Sequence, residues 1–166
     1  MKRRNFIFAM FALATTPLIS LRSNGTEAKL DGMPKIKKLV LSETEWQKRL
    51  TAAQFSILRE EDTEPPRSSP LNDEKRKGIY ACAGCDLPLF KSEMKFDSGT
   101  GWPSFFDSLS NAVETRTDFK LLFPRTEYHC ARCGGHQGHV FKDGPHPTGL
   151  RFCNNGLALK FTPIKT

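Results

Sequence analysis

Two different rhythms of apolar residues divide the chain. In the first, Trp46 and Leu50 are four residues apart and Phe55 and Leu58 three apart, so each pair lies on one face of a helix. Each pair follows a capping box, Ser42-Glu43-Thr44-Glu45 and Thr51-Ala52-Ala53-Gln54, in which a hydroxyl and a Glu or Gln close off the free amides of a helix start. The pattern predicts two short helices joined near Thr51. Pro65, Pro66 and Pro70 then forbid a continuous helix between Glu60 and Asp73, which reads as an extended loop. From Gly78 the rhythm changes to short apolar or alternating runs: Ile79 to Ala81, Ala112 to Thr115, Phe119 to Phe123, Tyr128 to Cys130, His139 to Phe141, Leu150 to Phe152 and Leu157 to Phe161. Turn residues separate them, among them Gly134-Gly135, Asp143-Gly144-Pro145 and Asn155-Gly156. Such spacing predicts a mainly β fold of antiparallel sheet, closed or sandwiched. Two glycines and a proline in Ser98 to Phe105 argue against a regular element there.

The N-terminus carries neither rhythm. Lys2-Arg3-Arg4-Asn5-Phe6-Ile7 fits the twin-arginine export pattern, and the apolar stretch Phe6 to Leu21, broken by Pro17, follows it as in a signal peptide. The expected organisation is an export signal over 1–28, a polar and basic linker over 29–40 and one catalytic domain over 41–166. Export of this kind predicts a periplasmic protein; the alternative is anchorage to the inner membrane by an uncleaved leader. The formal charge is +7, of which the first 28 residues carry three. The remaining excess is modest and spread out, so a solvated basic surface is expected and nucleic acid is not.

The five cysteines change the picture most. Cys82-Ala83-Gly84-Cys85 and Cys130-Ala131-Arg132-Cys133 are both Cys-x-x-Cys, a spacing that turns two thiolates toward one ion. Two such knuckles supply four sulfur ligands for a closed, structural zinc site, one ion per chain; a redox pair or two disulfides are the other readings. Cys153 is left over. It stands beside Arg151 and downstream of His136-Gln137-Gly138-His139, which marks it as a candidate nucleophile, against the alternative of a buried free thiol. No glutamate adjoins either histidine, so the zinc-deaminase and His-Glu-x-x-His signatures are absent and acid–base use is the better reading.

Gly99-Thr100-Gly101-Trp102-Pro103-Ser104-Phe105, His136 to Phe141, Asp143-Gly144-Pro145 and Arg151-Phe152-Cys153-Asn154-Asn155 occur in this order around the two knuckles. With Thr63 to Pro66 and Tyr80 to Cys85, the set resembles the B-type peptide-methionine (R)-S-oxide reductases, over about Leu39 to Pro163. The resemblance implies two curled antiparallel sheets with short peripheral N-terminal helices and a structural zinc on the knuckles. It implies reduction of methionine (R)-sulfoxide in oxidised proteins, a repair of oxidative damage. Cys153 then matches the attacking thiolate and Trp102 the wall that receives the sulfoxide methyl. His136, His139 and Asn155 match polar groups of the pocket, Arg151 the neighbour that favours thiolate, and Phe141 a further substrate-binding side chain.

The chemistry is consistent with the residues. A sulfoxide sulfur accepts a thiolate only when its oxygen is protonated or hydrogen-bonded, which a histidine can do, and the attack leaves a sulfenic acid on Cys153. Many relatives carry at the position of Thr100 a cysteine that resolves this sulfenic acid. Its replacement implies regeneration by an external thiol or a thioredoxin-like donor, and a monomer is expected. Two other classes share some of these features: a zinc-ribbon nucleic-acid module, which leaves Cys153 and Trp102 without a role, and a Cys–His hydrolase using Cys153 and His139, which needs an oxyanion site the sequence does not reveal.

Overall fold

The computed structural model describes residues 36–120 and 123–164. The expected export signal and the first part of the expected linker lie outside these residues. Among the described residues no helix is long and apolar enough to cross a membrane.

Both predicted helices form. In α1 (Glu43–Arg49) the Ser42 side chain accepts from Glu45 N and the Glu45 carboxylate accepts from Ser42 N; in α2 (Ala52–Glu60) Thr51 and Gln54 do the same. Each cap contributes about 1 kcal/mol. These caps matter because seven- and nine-residue helices are too short to be stable alone. They bury Trp46, Leu50, Ile57 and Leu58. Trp46 packs beside Gly84 of the first knuckle, with the Arg59 guanidinium 5.0 Å above the ring. Ahead of them Leu39 N donates to Arg132 O of the second knuckle (2.7 Å), so the chain is already tied to the domain there.

Nine strands follow in two antiparallel sheets. The smaller has the order β2-β1-β9, from β1 (Gly78–Cys82), β2 (Pro88–Lys91) and β9 (Leu159–Pro163). The larger has the order β3-β4-β8-β7-β6-β5, from β3 (Lys95–Phe96), β4 (Ser104–Phe105), β5 (Val113–Asp118), β6 (Arg125–Cys130), β7 (His136–Phe141) and β8 (Arg151–Asn154). The sheets meet through aromatic rings. Phe90 stacks on Phe105 at 4.1 Å between centroids, and Tyr80 meets the same ring edge-on at 4.9 Å. Phe152 and Tyr128 complete the cluster, itself T-shaped at 5.2 Å.

Two expectations about elements fail. Phe119 and Phe123 belong to no strand: β5 ends at Asp118, β6 begins at Arg125, and both rings are exposed. An apolar run alone does not make a strand when no neighbouring strand pairs with it. Conversely, Ser104–Phe105 forms β4 despite the glycines and proline before it, because it lies between β3 and β8 and both of its residues pair there.

Candidate functional site

Strand pairing assembles a single row of polar side chains. Directly opposed residues in a sheet project to the same face. Ser104 is opposite Cys153, Cys153 opposite His139, His139 opposite Glu127, and Glu127 opposite Arg116. Residues two positions away share that face. They add Arg151 beside Cys153, Phe141 beside His139, Arg125 beside Glu127 and Asp118 beside Arg116. The opposite face carries Phe105, Phe152 and Val140 into the core. One sheet thus turns an apolar face to the core and carries the polar row, itself largely buried, on its other face.

His136 should fall on the wrong face, since it is three positions from His139 and strands alternate with period two. A bulge corrects this. Tyr128 pairs with Gly138 but His129 pairs with His136, so one extra residue of β7 is absorbed and the alternation reverses. The two imidazoles meet at 5.5 Å. The bulge needs glycine at 138, where a Cβ would stand 1.9 Å from the Cys153 carbonyl oxygen at φ +156°.

Each imidazole is held by a carboxylate from the β5–β6 hairpin. His136 Nδ1 donates to Glu127 Oε1 (2.7 Å), and His139 Nε2 donates to Asp118 Oδ2 (2.8 Å). Backbone N–H donation from Lys120 first, then the bonds from His139 and Arg125, hold the Asp118 carboxyl well below the usual carboxylate range. Burial pushes Glu127 up, but the His129 and His136 imidazoles and the Arg116 guanidinium outweigh it, so it too lies well below that range. Of these, His136 is the hydrogen-bond partner; His129 Nδ1 is 3.7 Å away, an electrostatic neighbour only. His136 is sealed, with its side chain 2% exposed, whereas His139 is 11% exposed and borders the solvent side of the row. Burial lowers the His139 pKa, and the bond to Asp118 offsets part of that.

Cys153 is half-buried. Burial pushes its thiol up, against the opposing pull of the Arg151 charge and of hydrogen bonds from Thr100 and Arg151. Arg151 acts in the direction its sequence position suggests, but two 2.8 Å bonds bind it to Asp143, whose charge pushes Cys153 the other way. The net direction is up, because burial outweighs the pull of Arg151. The Arg151 guanidinium also lies 4.3 Å over the Phe141 ring, so that phenyl is engaged by the arginine.

Trp102 is positioned from the loop at residues 60–69. Its Nε1 donates to Glu64 O (3.0 Å). Glu64 is itself buried, and its carboxylate accepts from Gly156 N (2.6 Å) and Leu157 N (2.9 Å), just beyond β8. Asn155, expected among the polar groups of the pocket, is buried with its amide committed: Oδ1 accepts from Glu64 N and Nδ2 donates to Gln137 O. It acts on the pocket at one remove, by clamping the loop that holds Trp102. Two cavities flank the loop of residues 96–103. The larger, about 590 Å³, borders Trp102 but not Cys153; the smaller, about 390 Å³, is lined by Thr100 and Arg151.

The four knuckle cysteines lie apart from this row. Their sulfurs are all within 4.8 Å of one another, with Cys82–Cys133 at 3.7 Å and Cys85–Cys130 at 3.4 Å. A tetrahedral thiolate site with metal–sulfur distances of about 2.3 Å requires sulfurs about 3.8 Å apart. All five cysteines are free, and the sulfurs surround one point, so the cluster could hold a metal ion. With four sulfurs it leaves no open position for a substrate. Gln137, the bulge residue, donates to Cys82 Sγ (3.4 Å) and accepts from Asn155 N (2.8 Å), so the knuckles and the row share a support.

Sequence reading singles out Cys153, His136, His139, Arg151, Phe141 and Trp102; the first five share one face of the large sheet, and Trp102 stands in the loop before β4. It misses Glu127, Asp118 and Glu64. Alternation in Arg125-Thr126-Glu127 was the available signal for Glu127; Glu64 lies in the Thr63–Pro66 motif, but its role stayed hidden because the amides its carboxylate binds are more than ninety residues away.

The SelR domain family matches residues 50–163. The chain is 49% identical over 132 residues to peptide methionine sulfoxide reductase MsrB of Agrobacterium fabrum, covering 79% of this chain and 96% of that protein. It is 45% identical over 150 residues to the chloroplastic peptide methionine sulfoxide reductase B1 of Arabidopsis thaliana, covering 88% and 74%. It is 49% identical over 136 residues to the mitochondrial methionine-R-sulfoxide reductase B2 of Rattus norvegicus, covering 77% and 78%.

Proposed function

Because this chain belongs to the MsrB family of peptide methionine sulfoxide reductases, we propose that it reduces methionine (R)-sulfoxide residues of oxidised proteins to methionine, with Cys153 as nucleophile. The observation that carries this reading is the row Ser104–Cys153–His139–Glu127, which places a half-buried thiol directly across the strand from an imidazole braced by a carboxylate. The thiolate of Cys153 attacks the sulfoxide sulfur while His139, the more accessible histidine, gives a proton to the sulfoxide oxygen. Attack forms an S–S bond between Cys153 and the sulfoxide sulfur; the protonated oxygen then migrates to the Cys153 sulfur as the S–O and S–S bonds to the methionine sulfur break, leaving methionine and a sulfenic acid on Cys153. Sulfur in methionine gains two electrons and sulfur in Cys153 loses two. His136, fixed by Glu127, orients the pocket from behind. The indole of Trp102, tethered by Glu64, offers a face for the methyl on the polarised sulfur.

The four knuckle cysteines hold zinc in this reading. The ion would tie the end of β1 and its following turn to the end of β6 and its following turn, and takes no part in the reaction. An external thiol, either a small thiol or a thioredoxin-like protein, returns the sulfenic acid to thiol. The paired arginines before Phe6-Ile7 support export to the periplasm by the twin-arginine route; fractionation of cells expressing the full chain tests this, and a cytoplasmic product overturns it.

The test of the activity is reduction of the R and S epimers of a blocked methionine sulfoxide with dithiothreitol. The R epimer is consumed by the wild type, the S epimer is not, and Cys153→Ser consumes neither. An untouched R epimer contradicts the reading.

A further inference from the structure

The connection between β5 and β6 reads Phe119-Lys120-Leu121-Leu122-Phe123-Pro124, a run with the apolar content of a strand that nevertheless only joins two strands. Phe119 is 76% and Phe123 80% exposed, and among the described residues no other aromatic ring is exposed. Leaving two phenyls in water forgoes the burial that stabilises such rings elsewhere, and exposed apolar groups clustered in one short segment mark an interaction surface. The one charge of the segment is already spent, because Lys120 Nζ pairs with Glu61 Oε2 (2.7 Å) just beyond α2. What the loop offers a partner is therefore apolar.

The loop is rooted in the polar row. Asp118, the residue before it, accepts from Lys120 N (2.8 Å), from Arg125 Nη2 (2.6 Å) and from His139 Nε2 (2.8 Å). Arg125 is the residue after the loop. One carboxylate thus ties both ends of the loop to the imidazole that gives its proton to the sulfoxide oxygen in the proposed reaction. Consecutive Cα atoms are about 3.8 Å apart, so Phe119 follows one residue after a group in contact with His139. A methionine sulfoxide brought to His139 within a polypeptide carries its chain neighbours, about 3.3 Å per residue, to this same edge of the sheet.

The chemistry of those neighbours follows from where methionine normally sits. Methionine is among the residues most often buried, and its oxidation disrupts the core around it. A methionine sulfoxide that reaches Cys153 therefore lies in a segment that has lost its packing and shows apolar side chains beside it. We propose that Phe119 and Phe123 form a subsite for an apolar side chain adjacent in sequence to the methionine sulfoxide of an oxidised polypeptide. This rests on the reduction proposed at Cys153. A membrane surface would call for free basic residues beside the rings, and the loop's lysine is bound to Glu61.

The experiment measures kcat and KM with dithiothreitol for three substrates: blocked methionine (R)-sulfoxide, and two peptides in which the sulfoxide is flanked on both sides by leucine or by serine. The wild type favours the leucine peptide about tenfold in kcat/KM, chiefly through KM, as expected for burying part of one apolar side chain. Phe119→Ser combined with Phe123→Ser reduces both peptides equally well and leaves the blocked amino acid at the wild-type rate. Phe119→Leu combined with Phe123→Leu restores the preference. A wild type that treats the peptides alike, or a serine variant that keeps the preference, overturns the proposal. So does an equal loss on all three substrates, which would show that the rings act only through Asp118 and His139. A loss seen only when thioredoxin replaces dithiothreitol also overturns it, because the loop would then receive the reductant. If the double serine variant does not fold by circular dichroism, Phe123→Ser alone decides by the same criteria. Binding of the two labelled peptides to Cys153→Ser, followed by fluorescence anisotropy, needs no turnover. A leucine preference there, beside a wild type that leaves the R epimer untouched, refutes the proposed function and spares the subsite.

Discussion

Glu127→Gln isolates the carboxylate at the centre of the row. Glu127 is 2% exposed, accepts from His136 Nδ1 at 2.7 Å and is paired with Arg116 Nε. Hydrogen bonds to a charged group contribute about 1.5–3 kcal/mol each. Glutamine keeps the shape and one acceptor but turns an N–H toward the other donor. The expected loss is about 3 kcal/mol, the lower end of what breaking a buried ion pair costs. For a domain of this size that lowers the Tm by on the order of 10 °C. The difference also has a sign in pH. The folded Glu127 pKa is depressed, so its contribution is fully present above the unfolded value of about 4.3 and is lost as pH falls below it toward the folded pKa. Urea unfolding of wild type and variant at pH 7 and pH 3.5 measures this. The gap between them is widest at pH 7 and narrows at pH 3.5. An equal gap at both values would show that the carboxylate is not ionised in the native state, and would refute the reasoning.

Other consequences can be measured separately. Cys82→Ser is expected to lose bound zinc, from one ion per chain, and to lower the Tm, since an ion on the four sulfurs would tie the β1–β2 turn to the β6–β7 turn; metal analysis and calorimetry check both, and a zinc-free folded wild type contradicts the assignment. His139→Ala lowers kcat/KM about 100-fold and His136→Ala about tenfold, because His139 is the accessible acid and His136 its buried support; equal effects or the reverse order refute the division of roles. Attack needs one proton shared between Cys153 and His139. The thiol is shifted up from its ordinary 9.0 and the imidazole down from its ordinary 6.5. The kcat/KM profile is therefore flat between these values, with its acid limb below 6.5 and its alkaline limb above 9.0; a limb inside that window contradicts the shifts.

Local chemistry was legible in the sequence wherever the partners were neighbours. Both capping boxes close as read, because Ser42 with Glu45 and Thr51 with Gln54 lie within one helical turn. The Cys-x-x-Cys spacing brings four sulfurs together, since each knuckle is a local turn. What the sequence hides are pairings over long separations. Ser104–Phe105 becomes a strand only because β8, nearly fifty residues later, lies beside it. Glu64 is an ordinary acidic residue in a proline-rich loop until the amides of Gly156 and Leu157 arrive. The bulge at Gln137 is invisible for the same reason: His-x-x-His predicts opposite faces on a strand, and only the register against β6 reveals that both rings share one. Arg151 shows the limit for electrostatics. Its sequence position says that it favours a thiolate, but burial of the sulfur outweighs it, with a smaller opposing push from Asp143.

The most direct test of the account is a single turnover without reductant. Stoichiometric methionine (R)-sulfoxide is mixed with the wild type, and the protein is trapped with a sulfenic-acid reagent and mapped by mass spectrometry. The account predicts one equivalent of methionine, a single oxygen gained at Cys153 and no disulfide joining Cys153 to Cys82, Cys85, Cys130 or Cys133. Methionine formed with Cys153 unmodified, or with Cys153 in an intramolecular disulfide, contradicts it.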